Sequence, residues 1–245
     1  QAARLGRRVT LFEGSGIFGG QVATVGHVDG LPFPATYSGQ DMAIHLLEEI
    51  RKVGVQIVET AVANIETEDG LRLLDTDNNR YSPATIIVAS GASLRKLGVP
   101  GEEKLLGRGV SQCATCDGGF FRGDHVAVVG SGDSAIHEAL ELVKTSRRVT
   151  LIARSPLKAQ RENIDKLASK ENIDFIWDSE VLAVMGEDAV TGLRLRNVMD
   201  SSETEYPCAG VFPFVGVNPN SAFLPAFLLT ETTASINSAD FLLGL

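Results

Sequence analysis

Cys113-Ala114-Thr115-Cys116-Asp117-Gly118 sets two thiols two residues apart, with a carboxylate beside the second. At that spacing two sulfurs close a small disulfide ring, or two thiolates clamp a metal. Asp117 stands where a carboxylate can exchange a proton with a leaving thiolate. A second signal follows at Val126-Ala127-Val128-Val129-Gly130-Ser131-Gly132-Asp133-Ser134-Ala135. It is an apolar strand running into a Gly-x-Gly-x-x-Ala turn and then a helix, the pattern of a dinucleotide-binding turn. The thiol pair alone leaves redox and metal chemistry open.

The elements around these residues narrow the choice. The strand Val126–Val129, the turn, a helix over about 135–144 and the strand Val149–Ile152 make one βαβ unit. The start of the chain reads as the back half of another. Gln1–Gly6 is a helix end with a glycine cap, and Val9–Glu13 is a strand ending in an acid. Arg7-Arg8-Val9-Thr10-Leu11 and Arg147-Arg148-Val149-Thr150-Leu151 occupy the same place in the two units. Two such units imply two nucleotides, and a flavin with a nicotinamide is the usual pairing. Glu13 is placed to accept hydrogen bonds from adenosine ribose hydroxyls. The loop Gly14-Ser15-Gly16-Ile17-Phe18-Gly19-Gly20-Gln21 lets backbone approach a ligand closely. The front half of the first unit, with its glycine-rich turn, is missing, so the chain is expected to be part of a longer one.

Composition agrees with a globular α/β protein. The chain of 245 residues suits two modest cores, with 44% apolar and 22% charged residues. A net charge of −9 without a basic stripe argues against nucleic-acid binding. No apolar run reaches the roughly 18 residues of a membrane span, and no signal peptide is visible, so the expected compartment is the cytoplasm. Three cysteines are too few for a secreted disulfide scaffold, and Cys208 reads as a small buried apolar residue. A zinc site needs four ligands. His27, His45, His125 and His137 form no closely spaced pair, so no metal is expected and the histidines are read as surface or cap residues.

The remaining expectations are structural. Pro32-Phe33-Pro34 is an extended connection, followed by a helix Met42–Val53 capped from Ser38, with Ile44, Leu47, Ile50 and Val53 inward. Gln56–Val58 and Ala61–Ala63 are short strands, and Asp75–Asn79 is a hairpin turn between Leu71–Leu74 and Arg80–Tyr81. Ala84–Ala92 is a buried strand, and Leu97–Glu103 is the main linker. A helix near 163–169, the strand Phe175–Trp177 and hairpin strands at 181–185 and 190–196 follow. Gly210–Asn220 is a second crossover. Trp177 and Phe120-Phe121 are expected in the core.

With these residues in hand the chain resembles the low-molecular-weight thioredoxin reductases. The resemblance rests on Gly19-Gly20-Gln21, Ala89-Ser90-Gly91-Ala92, Cys113–Gly118, Gly130–Ala135 and Gly216-Val217-Asn218-Pro219-Asn220, in that order. It implies an α/β fold of two Rossmann-like dinucleotide-binding domains. FAD would sit on residues 1–98, with Glu13, Gly14, Gly19, Gly20, Gln21, Val62, Ala89, Ser90 and Gly91 toward it. NADPH would sit on residues 99–217, held by Gly130, Gly132, Asp133, Ser134, Ala135, Arg154 and Lys158, and residues 218–245 would return to the first domain. It further implies a redox disulfide at Cys113–Cys116. Cys116 faces the flavin, Cys113 attacks a thioredoxin-like partner, and Asp117 is the acid/base. A homodimer and a rotation between the domains complete the picture. Three departures stand out, the first being the absent upstream Gly-x-Gly-x-x-Gly turn and downstream Gly-Asp segment that hold the flavin in the family. Gly30 replaces the family's asparagine, and Ala153-Arg154-Ser155-Pro156-Leu157-Lys158 keeps only Arg154 and Lys158 of a richer cationic motif. No acid ends that strand, so NADPH is favoured over NADH. The thinned motif leaves a ferredoxin-fed reductase or a dithiol oxidase as alternatives, and a non-catalytic binding relative as another.

Overall fold

The computed structural model describes residues 1–26, 28, 37–67 and 70–226. The expectations for His27, Gly30, Pro32–Pro34 and the tail beyond residue 226 fall outside them. The backbone gathers into two compact units, one from Gln1–Ser93 with the segment from Pro219, the other from Leu94–Asn218.

In the first unit a short 3-10 turn, Ala3–Leu5, closes on Gly6 in the left-handed conformation. Strand β1 (Thr10–Phe12) then pairs in parallel with β2 (Gln56–Val58), Leu11 opposite Ile57. Helix α1 (Gly39–Lys52) starts three residues before the expected Met42, because Ser38 Oγ accepts the Asp41 N–H at 3.1 Å and caps it there. Its inward residues are Ala43, Leu47 and Ile50, spaced four and three apart. Ile44, expected inward, lies one residue round the helix from Ala43 and is exposed.

Strands β3 (Val62–Glu66), β4 (Arg72–Asp75) and β5 (Arg80–Tyr81) form an antiparallel meander. The Asp75–Asn79 turn is the expected hairpin, and its anchor is the buried Asp75 carboxylate. That group accepts the Asp77 and Asn79 N–H bonds at 2.9 Å each and the Tyr81 hydroxyl at 3.1 Å. Ala84–Ala92 departs from expectation. Only Ala92 enters a strand, β6 (Ala92–Leu94), and Ile87 is 79% exposed. A strand needs a neighbouring backbone, and among the described residues no strand pairs with 84–91, the one backbone bond there being Asn220 N–H to the Gly91 carbonyl at 3.0 Å.

The second unit is a three-layer sandwich. Its elements are α2 (Ala114–Asp117), β7 (His125–Val129), α3 (Asp133–Leu142), β8 (Arg148–Ile152), α4 (Arg161–Ala168), β9 (Ile173–Ile176), β10 (Ser179–Gly186), β11 (Val190–Asn197), β12 (Glu203–Pro207) and β13 (Gly210–Pro213). A parallel sheet in the order β13-β7-β8-β9 forms the middle layer, and β10-β11-β12 is an antiparallel sheet beside it. Side-chain alternation divides the core. Val126, Val128, Val149, Leu151 and Phe212 meet the helices, whereas Ala127, Val129, Ile152 and Val211 meet the antiparallel sheet. Both β12 and β13 were not anticipated. Gly210–Pro213, expected as a crossover, is a fully buried strand, and the chain leaves afterward through β14 (Val217–Pro219), which pairs with β6.

Other expectations also shift. Leu97–Glu103 is no linker but a tied turn of this unit, since buried Glu102 accepts the N–H of Leu97 at 2.9 Å and of Gly98 at 2.8 Å. Phe120 is 83% exposed and Trp177 46%, so neither belongs to the core. Neighbours in the 3-10 helix Gly118–Phe121 point about 120° apart. Only Phe121 turns inward, edge-on to Phe212 with ring centroids 5.4 Å apart. Cys208 is buried as expected, and burial pushes its thiol up to about 12.

His125 is not a surface residue. Its Nε2 lies 3.0 Å from Thr150 Oγ1 and 2.8 Å from Tyr206 Oη, under the antiparallel sheet. Burial lowers its pKa, with Asp174 opposing and Arg148 and Arg147 adding to the effect. The unfolded chain therefore takes up a proton more readily than the folded one. Stability carried by neutral His125 is present above about pH 6.5 and is lost as pH falls from there through the lowered folded value. Denaturant melts should show the second unit weakening toward acid, with a smaller slope in His125→Gln; identical slopes would exclude this role. Among the described residues no helix is long and apolar enough to cross a membrane.

Candidate active site

Cys113 and Cys116 are joined in a disulfide, S–S 2.08 Å, across the single turn α2. The turn is prepared upstream. Val110 bridges to Val211, and Ser111 N–H donates to the Val211 carbonyl at 3.0 Å, so the approach runs along the edge of β13. Ser111 Oγ then accepts the Cys113 N–H at 3.1 Å, and Cys113 Sγ accepts the Cys116 N–H at 3.1 Å. Cys113 is half-buried and Cys116 exposed. The half-buried Asp117 donates its N–H to the Cys113 carbonyl at 3.0 Å, and its carboxylate has no hydrogen-bond partner among the described residues.

Helix α3 carries this turn. Ala114 is buried in the helix-side core, and its N–H donates to Glu138 Oε2 at 2.6 Å. Glu138 lies six residues past the helix cap Gly132, about 9 Å along the axis. One helix thus presents the glycine turn at its start and the disulfide turn on its flank.

The glycine turn borders a cleft of about 660 Å³. Gly130, Gly132, Asp133 and Ser134 form one wall, and Arg154, Ser155 and Lys158 another. Ala135 is buried behind the turn. The two glycines differ in role. A Cβ on Gly130, at φ +152°, would lie 2.3 Å from the Phe214 carbonyl oxygen, so protein backbone already fills that space. A Cβ on Gly132 would meet nothing within 4 Å; its open side faces the cleft. That vacancy at a helix N-terminus suits a phosphate group. The loop beyond β8 is pinned to the turn by Lys158 N–H on the Ser131 carbonyl, 2.7 Å, and Gln160 N–H on Asp133 Oδ1, 2.8 Å. Asp133 therefore braces the loop. Arg154 and Lys158 are exposed and have no acidic partner among the described residues. Sequence reasoning missed Arg95, Lys96, Ser179 and Glu180, which also line the cleft. They arrive from distant segments and share no motif.

In the first unit Glu13 follows β1, with Oε1 accepting the Ser15 N–H at 2.7 Å and hydroxyl at 2.6 Å. Its Oε2 has no partner among the described residues, which leaves it available to a ribose hydroxyl. Gly14 and Gly19 serve internal packing, because a Cβ on either would sit 2.5 Å from Ala61 Cβ or Ala43 Cβ. Gly20 and Gly91 face open space. Gln21 Nε2 donates to the Ala92 carbonyl, and Val62 is half-buried at the start of β3. Ala89, Ser90 and Gly91 line a small hollow with Asn220, whose side-chain amide donates to the Ser90 carbonyl at 3.0 Å.

The model of the pyridine nucleotide-disulphide oxidoreductase family matches residues 1–240. The chain belongs to that family. It is 38% identical over 226 residues to a bifunctional thioredoxin reductase/thioredoxin of Mycobacterium leprae, covering 91% of this chain and 49% of that protein. It is 37% identical to the thioredoxin reductase of Treponema pallidum, over 91% of this chain and 73% of that one. The chain thus spans about half of the first relative and under three quarters of the second. Thioredoxin reductase from Lactococcus lactis superposes with a TM-score of 0.90 at 33% identity, over 96% of this chain and 78% of that one. That from T. acidophilum gives 0.85 at 27%, with the same coverage. The α/β fold with two Rossmann-like units, expected from the resemblance, is therefore shown for this member of the family.

Proposed function

We propose that this chain works in a flavoprotein disulfide reductase that passes electrons from NADPH, through FAD and Cys113–Cys116, to a thioredoxin-like protein. The carrying observation is the disulfide turn seated on the same helix that opens with the glycine turn. When bound, FAD supplies a two-electron relay between a nicotinamide and a disulfide. The first unit is the flavin side in this reading, with the free oxygen of Glu13 toward the ribose and Gly20 and Gly91 leaving room for close approach. The second unit is the nicotinamide side, with the pyrophosphate at Gly132 and the 2′-phosphate between Arg154 and Lys158. Asp133 and Ala135 hold the turn's shape.

Once reduced, Cys113 as thiolate attacks one sulfur of the partner's disulfide, and the partner's other sulfur leaves as a thiolate. Cys116 then attacks Cys113 of the mixed disulfide, which restores the Cys113–Cys116 bond and frees the reduced partner. Asp117 is the group nearest in sequence to carry the proton to the departing thiolate. A homodimer and a cytoplasmic setting accompany this reading from the family resemblance.

With the full-length protein, NADPH consumption is expected to depend on oxidised thioredoxin. Arg154→Ala should raise the KM for NADPH about tenfold and leave NADH turnover unchanged. An equal effect on both coenzymes would sink the phosphate assignment. NADPH consumption that needs oxygen and no protein disulfide would favour the dithiol oxidase, and turnover with reduced ferredoxin alone the ferredoxin-fed enzyme.

A further inference from the structure

The disulfide turn is fastened at one end to α3 and at the other to the turn that follows α3. Glu138 Oε2 accepts the Ala114 N–H at 2.6 Å, and Thr145 Oγ1 donates to the Gly118 carbonyl at 3.3 Å. Ala114 directly follows Cys113, so one carboxylate oxygen is bonded one residue from a redox sulfur. The two ties differ in kind: the threonine is neutral, and the glutamate brings a charge into a partly desolvated place.

Burial holds the Glu138 carboxyl above the ordinary carboxylate range, the Ala114 N–H opposes this, and Glu141 adds to it. Glu141 is itself bridged by Lys144 at 2.6 Å. On α2 the carboxylate is Asp117. Packed α4 carries the pair Arg161–Asp165, Arg148 of β8 pairs with Asp174 of β9, and β7 carries His125, whose ring is bonded to Thr150 and Tyr206. No cation is bonded to Glu138 among the described residues, so its charge acts on the turn uncompensated.

We propose that Glu138 is the positioning residue of the thiol pair, fixing the first turn of the Cys113–Cys116 segment and restraining, through its charge, thiolate formation after reduction. This rests on reading Cys113–Cys116 as the redox pair. Like charges in a partly desolvated site disfavour each other, so an ionised Glu138 raises the thiol pKa values.

The test uses the full chain, reduced with dithiothreitol and alkylated with iodoacetamide across the thiol range of pH. Glu138→Gln keeps an acceptor for the Ala114 N–H and removes the charge. Its alkylation midpoint should fall by about half a pH unit, giving about threefold faster alkylation near pH 7. Thr145→Val loosens the other tie without touching charge and should leave the midpoint in place. A Glu138→Gln profile superimposed on wild type overturns the proposal, as does an equal shift in Thr145→Val. A wild-type pair that cannot be cycled between disulfide and dithiol overturns the redox reading instead. Should Glu138→Gln not fold, the wild-type protein decides. Its Ala114 amide proton must follow a titration above the ordinary glutamate range, and a pH-independent resonance overturns the role.

Discussion

Cys116→Ser is expected to lower turnover with a protein disulfide by at least about a thousandfold while NADPH still binds. The reason is the division of labour between two sulfurs held in one turn. Cys113 Sγ lies at the start of α2, and the Cys116 N–H already points at it, 3.1 Å away. With serine at 116, no disulfide forms within the turn, so no electrons are stored there. The remaining Cys113 can still attack a partner, but nothing resolves the product. A thioredoxin that keeps one active-site cysteine, activated as its mixed disulfide with thionitrobenzoate, should be captured by Cys113 as thionitrobenzoate leaves, and the covalent complex should dissolve on adding dithiothreitol. Cys113→Ser should lose the turnover and the covalent complex together. Mass spectrometry under non-reducing conditions reads both, and a Cys116→Ser protein with wild-type turnover would remove the pair from the reaction.

The second large effect is expected at Gly130. Gly130→Ala places a methyl group 2.3 Å from the Phe214 carbonyl oxygen and 2.9 Å from Ala135 Cβ, at a backbone φ of +152°. Backbone on one side and a buried alanine on the other cannot swing away as a flexible side chain would. The cost should reach about 2 kcal/mol or more, seen as a lower denaturation midpoint of the second unit. The displaced turn should also weaken nicotinamide nucleotide binding at least about tenfold. Gly132→Ala is the informative contrast. Its backbone is extended and its added methyl meets nothing, so stability should hold while nucleotide affinity alone falls. Equal destabilisation by both substitutions would contradict the distinction between a packed glycine and one facing the ligand.

These contrasts show how far local pattern reaches. The hairpin at Asp75–Asn79, α1, and the βαβ unit from β7 to β8 were legible because their periodicity and turn chemistry are local. Ala84–Ala92 misled because an apolar run specifies a strand only where another backbone lies beside it. Val211 and Phe212 misled in the opposite way. Glycine and prolines flank a short segment that looks like a connection, and only parallel pairing with β7 makes it a buried strand. Phe120, Phe121 and Trp177 show that apolar character alone does not state which way a ring turns.

At the site, the residue types and spacing alone determined the thiol pair, the Gly-x-Gly-x-x-Ala turn, the duplicated unit and the cations at 154 and 158. Such features arise within one turn or one βαβ unit, where chain geometry fixes distances without help from the rest of the fold. The tertiary structure alone decided that Gly130 is packed against Phe214 while Gly132 is open, and that His125 is held by Thr150 and Tyr206. It also decided that Glu138, 22 residues beyond Cys116 in sequence, is bonded to the disulfide turn. Contacts between remote segments depend on how helices and sheets pack, and a single sequence carries no local periodicity for them.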